Sequence, residues 1–131
     1  MSYPTQPYAG QPALSSQDRT ASVLAHLSAP IAAVLSLGWL SMVGPLIVWF
    51  VYKDRSPAAR HAAAGAFNFN LSFWILYLIS WILIFSVIGL IVGVPLLIVI
   101  FVVAAWCHVK GAIRAANGQP YEYPWQLRVL R

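Results

Sequence analysis

Two stretches of this chain, residues 20–52 and 62–107, contain no Asp, Glu, Lys or Arg. As single helices they would measure about 50 Å and about 69 Å, whereas the hydrocarbon core of a bilayer is about 30 Å thick. Each block must therefore fold back on itself. With 60% hydrophobic and 8% charged residues, water is not the main solvent of such a chain, since a soluble domain carries about a quarter charged residues. The expected fold is an all-α membrane protein of four membrane-embedded helices arranged as two hairpins.

Turn chemistry sets the expected boundaries. Leu37-Gly38-Trp39 and Gly44-Pro45 divide the first block into helices over 21–36 and 42–52, because glycine admits turn conformations and proline suits the first turn of a helix. The 42–52 piece is about 16 Å long, so spanning and re-entrant arrangements both stay open. In the second block two glycines and a proline within 86–95 predict the reversal, giving helices over 64–87 and 94–115. The Gly89 and Gly93 pair is read as part of that turn. Ser56 and Pro57 read as N-cap and first helical residue, Asn117-Gly118 as a C-cap, and Pro120 as a stop. Residues 1–18, rich in Pro, Gln, Ser and Tyr, have too few aliphatic side chains to offset the entropy of ordering, and they are expected to be a disordered cytoplasmic tail. The membrane domain is expected over 19–116, followed by a cytoplasmic C-terminal segment over 117–131.

The net charge of +5 is distributed in three groups: Arg19; Lys53, Arg55 and Arg60; Lys110, Arg114, Arg128 and Arg131. Two hairpins bring all three to one side. The positive-inside bias makes that side the cytoplasmic face of a plasma membrane and places both termini there. Cations that flank apolar blocks are not a nucleic-acid footprint, so no nucleic-acid partner is expected. Trp39 at one face, and Tyr52, Tyr121, Tyr123 and Trp125 at the other, suit interfacial aromatic belts.

Within the helices two patterns invite a functional reading. Ala21, Ala25, Ala29 and Ala33 recur every four residues and form a candidate helix-contact face, since small side chains let helices approach closely in lipid. The neighbour is a helix of the same chain or of another protein. His61, Asn68 and Ser72 share one face of the third helix and, with Asn70, form a candidate polar face. Such groups either hydrogen-bond across helices or line a permeation path. The acids are Asp18, Asp54 and Glu122, all outside the expected spans, and His26 lies deeper than His61 and His108. No catalytic, cofactor-binding or metal site is expected from this arrangement. Cys107, the one cysteine, reads as a packing residue.

Several motifs in this order resemble a known family: Ala25-His26-Leu27-Ser28, Gly44-Pro45-Leu46-Ile47-Val48-Trp49, Arg60-His61-Ala62 leading to Ala66-Phe67-Asn68-Phe69-Asn70, and Gly118-Gln119-Pro120-Tyr121-Glu122-Tyr123-Pro124. The chain is similar through them to small bacterial membrane proteins related to the twenty-kilodalton subunit of the chloroplast inner-envelope translocon. The resemblance implies a four-helix membrane domain and no catalytic residues. Together these readings lead to a non-enzymatic membrane protein that acts through helix contacts with the bilayer and with a membrane-protein partner or a second copy, as an accessory subunit or assembly factor. The alternative is an oligomeric channel or a component of a protein-translocation pore.

Overall fold

The computed structural model describes residues 14–87 and 89–131. Four helices make up its regular structure: α1 (Ser16–Ser36), α2 (Val43–Tyr52), α3 (Pro57–Phe85) and α4 (Leu90–Ala116). No strand occurs among the described residues. Expectations for residues 1–13 lie outside the described part.

Local signals account for the boundaries, including those that differ from expectation. Helix α1 begins at Ser16, so residues 16–18 are helical rather than tail. Ser15 caps it: its hydroxyl accepts from the Asp18 amide at 3.1 Å and donates to the Asp18 carboxylate at 2.9 Å. Helix α3 starts at Pro57, with the Ser56 hydroxyl accepting from the Ala59 amide at 3.2 Å. The reversal before α4 is shorter than 86–95, because α4 begins at Leu90 and runs through Gly93 and Pro95. Gly89 belongs to the turn, but Gly93 serves helix packing: a Cβ there would stand 2.8 Å from the Ser80 carbonyl oxygen of α3. At the far end of α4, Gly118 takes a left-handed φ of 71°, and the Gly118 and Gln119 amides donate to the Ala115 and Arg114 carbonyls at 3.0 and 2.9 Å. That is a Schellman cap, the role expected of Asn117-Gly118.

Among the described residues two helices, α3 and α4, are long and apolar enough to cross a bilayer, not the four expected. Helix α2 has ten residues, about 15 Å of rise. Helix α1 carries Asp18 and Arg19 in its first turn and turns Ser22 and His26 into the protein. Both pack alongside the candidate spans. Helices α1 and α3 each touch every other helix, whereas α2 and α4 do not touch one another.

Small side chains set how closely this central pair approaches. Ala21, Ala25 and Ala29 are buried, and Ala25 packs with Ala62 and Ala63 of α3 against Val48 and Trp49 of α2. Ala33 is only half-buried. Gly44 lets α2 meet α1, since a Cβ there would lie 2.5 Å from the Ser28 carbonyl oxygen. Outward, Ile79 and Ile82 of α3 and Val99, Val102 and Trp106 of α4 are exposed, an apolar surface suited to lipid.

Bulk added at these approaches should separate helices that cannot yield. Ala25→Leu and Gly44→Ala are each expected to lower unfolding stability in detergent by about 1–3 kcal/mol, the usual cost of overpacking. Ile31→Leu, at an exposed position of the same helix, should change it by less than about 0.5 kcal/mol. Denaturant titration of the three variants checks the contrast.

Candidate functional site

The facing sides of α1 and α3 are rich in alanine, with Gly65 in α3, and such small residues leave space between three helices. The C-terminal segment fills it. After the Schellman cap the chain turns back, with the Arg114 Nε donating to the Pro120 carbonyl at 2.9 Å, and inserts Tyr121 and Tyr123 among α1, α3 and α4. Tyr123 is 0% exposed. Its ring packs on Phe69, and Gly65 leaves it room, since a Cβ there would approach the ring to 3.1 Å. Tyr121 and Tyr123 are therefore core residues and not members of an interfacial belt. Trp125 does face outward.

The Tyr123 hydroxyl lies between two imidazoles, 2.6 Å from His26 Nδ1 and 2.9 Å from His108 Nδ1. On the other side of His108, its Nε2 is 2.9 Å from Asn70 Nδ2, which also lies 2.7 Å from the Ala66 carbonyl oxygen. A carbonyl only accepts, so the Asn70 atom facing it is the NH2 group. From that one assignment the proton order follows. Asn70 donates to Ala66 O and to His108 Nε2; His108 is neutral and donates from Nδ1 to the Tyr123 oxygen; Tyr123 donates its own proton to His26 Nδ1. His26 thus keeps its proton on Nε2. Gly111 of α4 packs on this imidazole, with room for no Cβ: one would stand 2.6 Å from Nδ1.

A second, more exposed set holds the rest of the segment to α3. The Asn68 side-chain oxygen accepts from the Val129 and Leu130 amides at 3.0 and 2.7 Å, and its NH2 donates to the Leu130 carbonyl at 2.8 Å. Ser72 accepts from the Leu127 amide at 2.7 Å. His61 Nε2 meets Glu122 Oε1 at 3.0 Å. Trp49 Nε1 and Arg60 Nε both donate to the Arg131 main-chain oxygen, at 3.2 and 3.0 Å.

The structure thus groups His61, Asn68 and Ser72 as the helical spacing implied, but their partners are in the C-terminal segment rather than in another helix. Asn70 points elsewhere, to His108. His26 and His108, placed apart in the sequence reading, are joined through Tyr123. The sequence signal for this core was present in the pair Tyr121 and Tyr123 between Pro120 and Pro124, and in two helical histidines needing partners of their own. Among the described residues no three His, Cys, Asp or Glu side chains are placed to hold a metal ion. Near the opposite end, a crevice of about 450 Å³ opens between α1, α3 and α4, walled by Ala33, Phe73, Tyr77 and Phe101 and reaching Asn70 and His108.

The model of the magnetosome magnetite crystal formation protein family (MamF/MmsF) matches residues 17–130. No curated protein and no solved structure matches the chain. The resemblance to translocon-related proteins is overturned by the family match. The motifs behind it are close-approach and capping residues, such as Ala25, Gly44 and Gly118, which many tightly packed helical bundles need.

Removing the Tyr123 hydroxyl leaves His108 Nδ1–H and His26 Nδ1 buried without that partner, so Tyr123→Phe should cost about 1–3 kcal/mol near neutral pH. Burial, then the neighbouring Tyr121, holds the Tyr123 phenol well above its ordinary value near 10. Above about pH 10 the unfolded phenol loses its proton while the folded one keeps it, so wild-type stability falls by up to about 1.4 kcal/mol per pH unit from this group. Phenylalanine has no such titration. The stability gap between wild type and Tyr123→Phe should therefore be constant between about pH 7 and about pH 9 and narrow above about pH 10, as unfolding measured across that range would show.

Proposed function

We propose that this chain, which belongs to the magnetosome magnetite crystal formation protein family, is a non-enzymatic accessory protein of the magnetosome membrane. It acts on crystal formation through helix contacts with other membrane proteins. The observation that supports this most is where its polar side chains go. His26, Asn68, Asn70, Ser72, His108 and Tyr123 all bond within the chain, so what the bundle presents outward is apolar helix surface and a basic rim. With three carboxylates in the whole sequence, direct binding of the mineral by acidic side chains is a poor fit. The channel or translocation-pore alternative loses its motive, because the polar face that suggested a path is covered by the C-terminal segment.

The basic rim supports one orientation. Arg19, Lys53, Arg55, Arg60, Lys110 and Arg114 lie where α1 and α3 begin and α2 and α4 end, and the positive-inside bias turns that end, with the C-terminal segment, toward the cytoplasm. The half-buried Ala33 of α1 and Ala104 and Ala105 of α4 border the open crevice between these helices, a small-residue surface against which a partner helix can approach.

Two measurements test the reading. In a Cys107→Ser background, cysteines at Arg55 and Asn117 should label from one side of the membrane and a cysteine at the exposed Val87 from the other; labelling of all three from one side would mean that α3 and α4 do not cross. A photo-crosslinker at Val34, exposed on α1, should capture a different membrane protein in native membranes. Self-adducts alone, together with ion or solute flux in reconstituted vesicles, would instead support the oligomeric channel.

A further inference from the structure

Between the start of α3 and the C-terminal segment lies a recess of about 300 Å³. Lys53, Arg60, Arg128 and Arg131 line it, with Glu122 as the acid among its lining residues. Glu122 is already shared, its oxygens 3.0 Å from His61 Nε2 and 3.9 Å from Arg128 Nη2. The recess therefore holds a marked excess of positive charge. Holding the segment in place does not require the whole of that excess, because Asn68, Ser72 and Trp49 bind most of its backbone through neutral groups and Arg60 adds one bond from Nε. Like charges gathered in a partly enclosed space are unfavourable until an anion joins them.

We infer that this recess binds a phosphate group carried by an anionic phospholipid. Guanidinium groups match phosphate oxygens in a bidentate fork, and an ammonium adds a compact point charge. The surroundings favour a lipid as the source. Leu127 and Val129 of the segment, next in sequence to lining residues, and Phe50 and Val51 of α2, within three residues of Lys53, are exposed apolar side chains, and the Lys53 ammonium lies over the Trp49 ring at 5.0 Å and the Phe50 ring at 5.4 Å. A head group among the cations and acyl chains along these side chains would satisfy both surfaces at once. The bound lipid would join α2, α3 and the segment, adding to the docking of Tyr123 by mass action. The inference rests on the membrane placement proposed above and on no other part of that reading.

The test uses the purified full chain in a zwitterionic detergent, titrated with short-chain phosphatidylglycerol or phosphatidylcholine and followed by thermal unfolding and native mass spectrometry. Phosphatidylglycerol should raise the midpoint saturably, with one lipid retained per chain, and phosphatidylcholine should do neither. The double variant Arg60→Gln/Arg128→Gln should lower phosphatidylglycerol affinity by about tenfold or more, while Arg55→Gln/Lys110→Gln, which removes the same charge outside the recess, should change it by less than about twofold. Lys53→Gln leaves the segment's hydrogen bonds intact and supplies the same readout should the first double variant fold poorly. Equal losses in both double variants would reduce the effect to general electrostatics and overturn the site. Free glycerol 3-phosphate should compete only at concentrations about a hundredfold higher, since it lacks the apolar contacts; competition at equal concentration would overturn the lipid assignment. Recovery of the expressed protein in the soluble fraction would sink the membrane placement separately, whatever phosphatidylglycerol does.

Discussion

The Tyr123 hydroxyl, shared between His26 and His108, is the interaction on which this bundle depends. It joins the C-terminal segment to α1 and α4 at one point, and through Asn70 it reaches α3. Each member needs the next. Without Tyr123 the two imidazoles would face a space lined by Gly65, Ala66 and Phe69; without the imidazoles a buried hydroxyl would lose its partners. The alanine-rich faces that bring α1 and α3 together create the room, and the aromatic side chains of residues outside the helices occupy it. Packing and polar satisfaction are therefore set by the same few residues.

The C-terminal segment has no regular structure beyond its turns, so its backbone amides need partners from outside the segment. Side chains of α3 stand in for a pairing strand. Asn68 offers one oxygen to two successive amides and one NH2 to a carbonyl, and Ser72 takes the Leu127 amide. Asn68 and Ser72 of α3 thus face the C-terminal segment, while Ile75, Ile79 and Ile82 of the same helix look outward. That division is what makes an accessory role, exercised through helix surfaces and a basic rim, the reading the bundle supports.

Much of this was legible in the sequence where one residue type has one local job. Ser56-Pro57 announced the start of α3 and Asn117-Gly118 the end of α4. Ser15 and Asp18 announced the start of α1 equally well, but the proline-rich residues before them masked the cap. Elsewhere a feature was visible and its partner was not. The face carrying His61, Asn68 and Ser72 follows from helical periodicity alone, yet nothing in that periodicity distinguishes a neighbouring helix from a returning chain terminus. Tyr121 and Tyr123 near a membrane rim suit an interfacial belt and a core equally; only the space left by Gly65 and the alanines decides. The length of an uncharged block was also ambiguous, because α1 and α2 pack against the candidate spans without themselves being long and apolar enough to span.

The proton order around Tyr123 offers the most direct test of this account. Nitrogen-15 spectra of the two buried imidazoles at neutral pH should show two neutral rings of opposite tautomer, His108 protonated on Nδ1 and His26 on Nε2, and Tyr123→Phe should disturb both. Two rings of the same tautomer, an imidazolium at either position, or spectra unchanged by Tyr123→Phe would contradict the insertion of Tyr123 between them and with it the role assigned to the C-terminal segment.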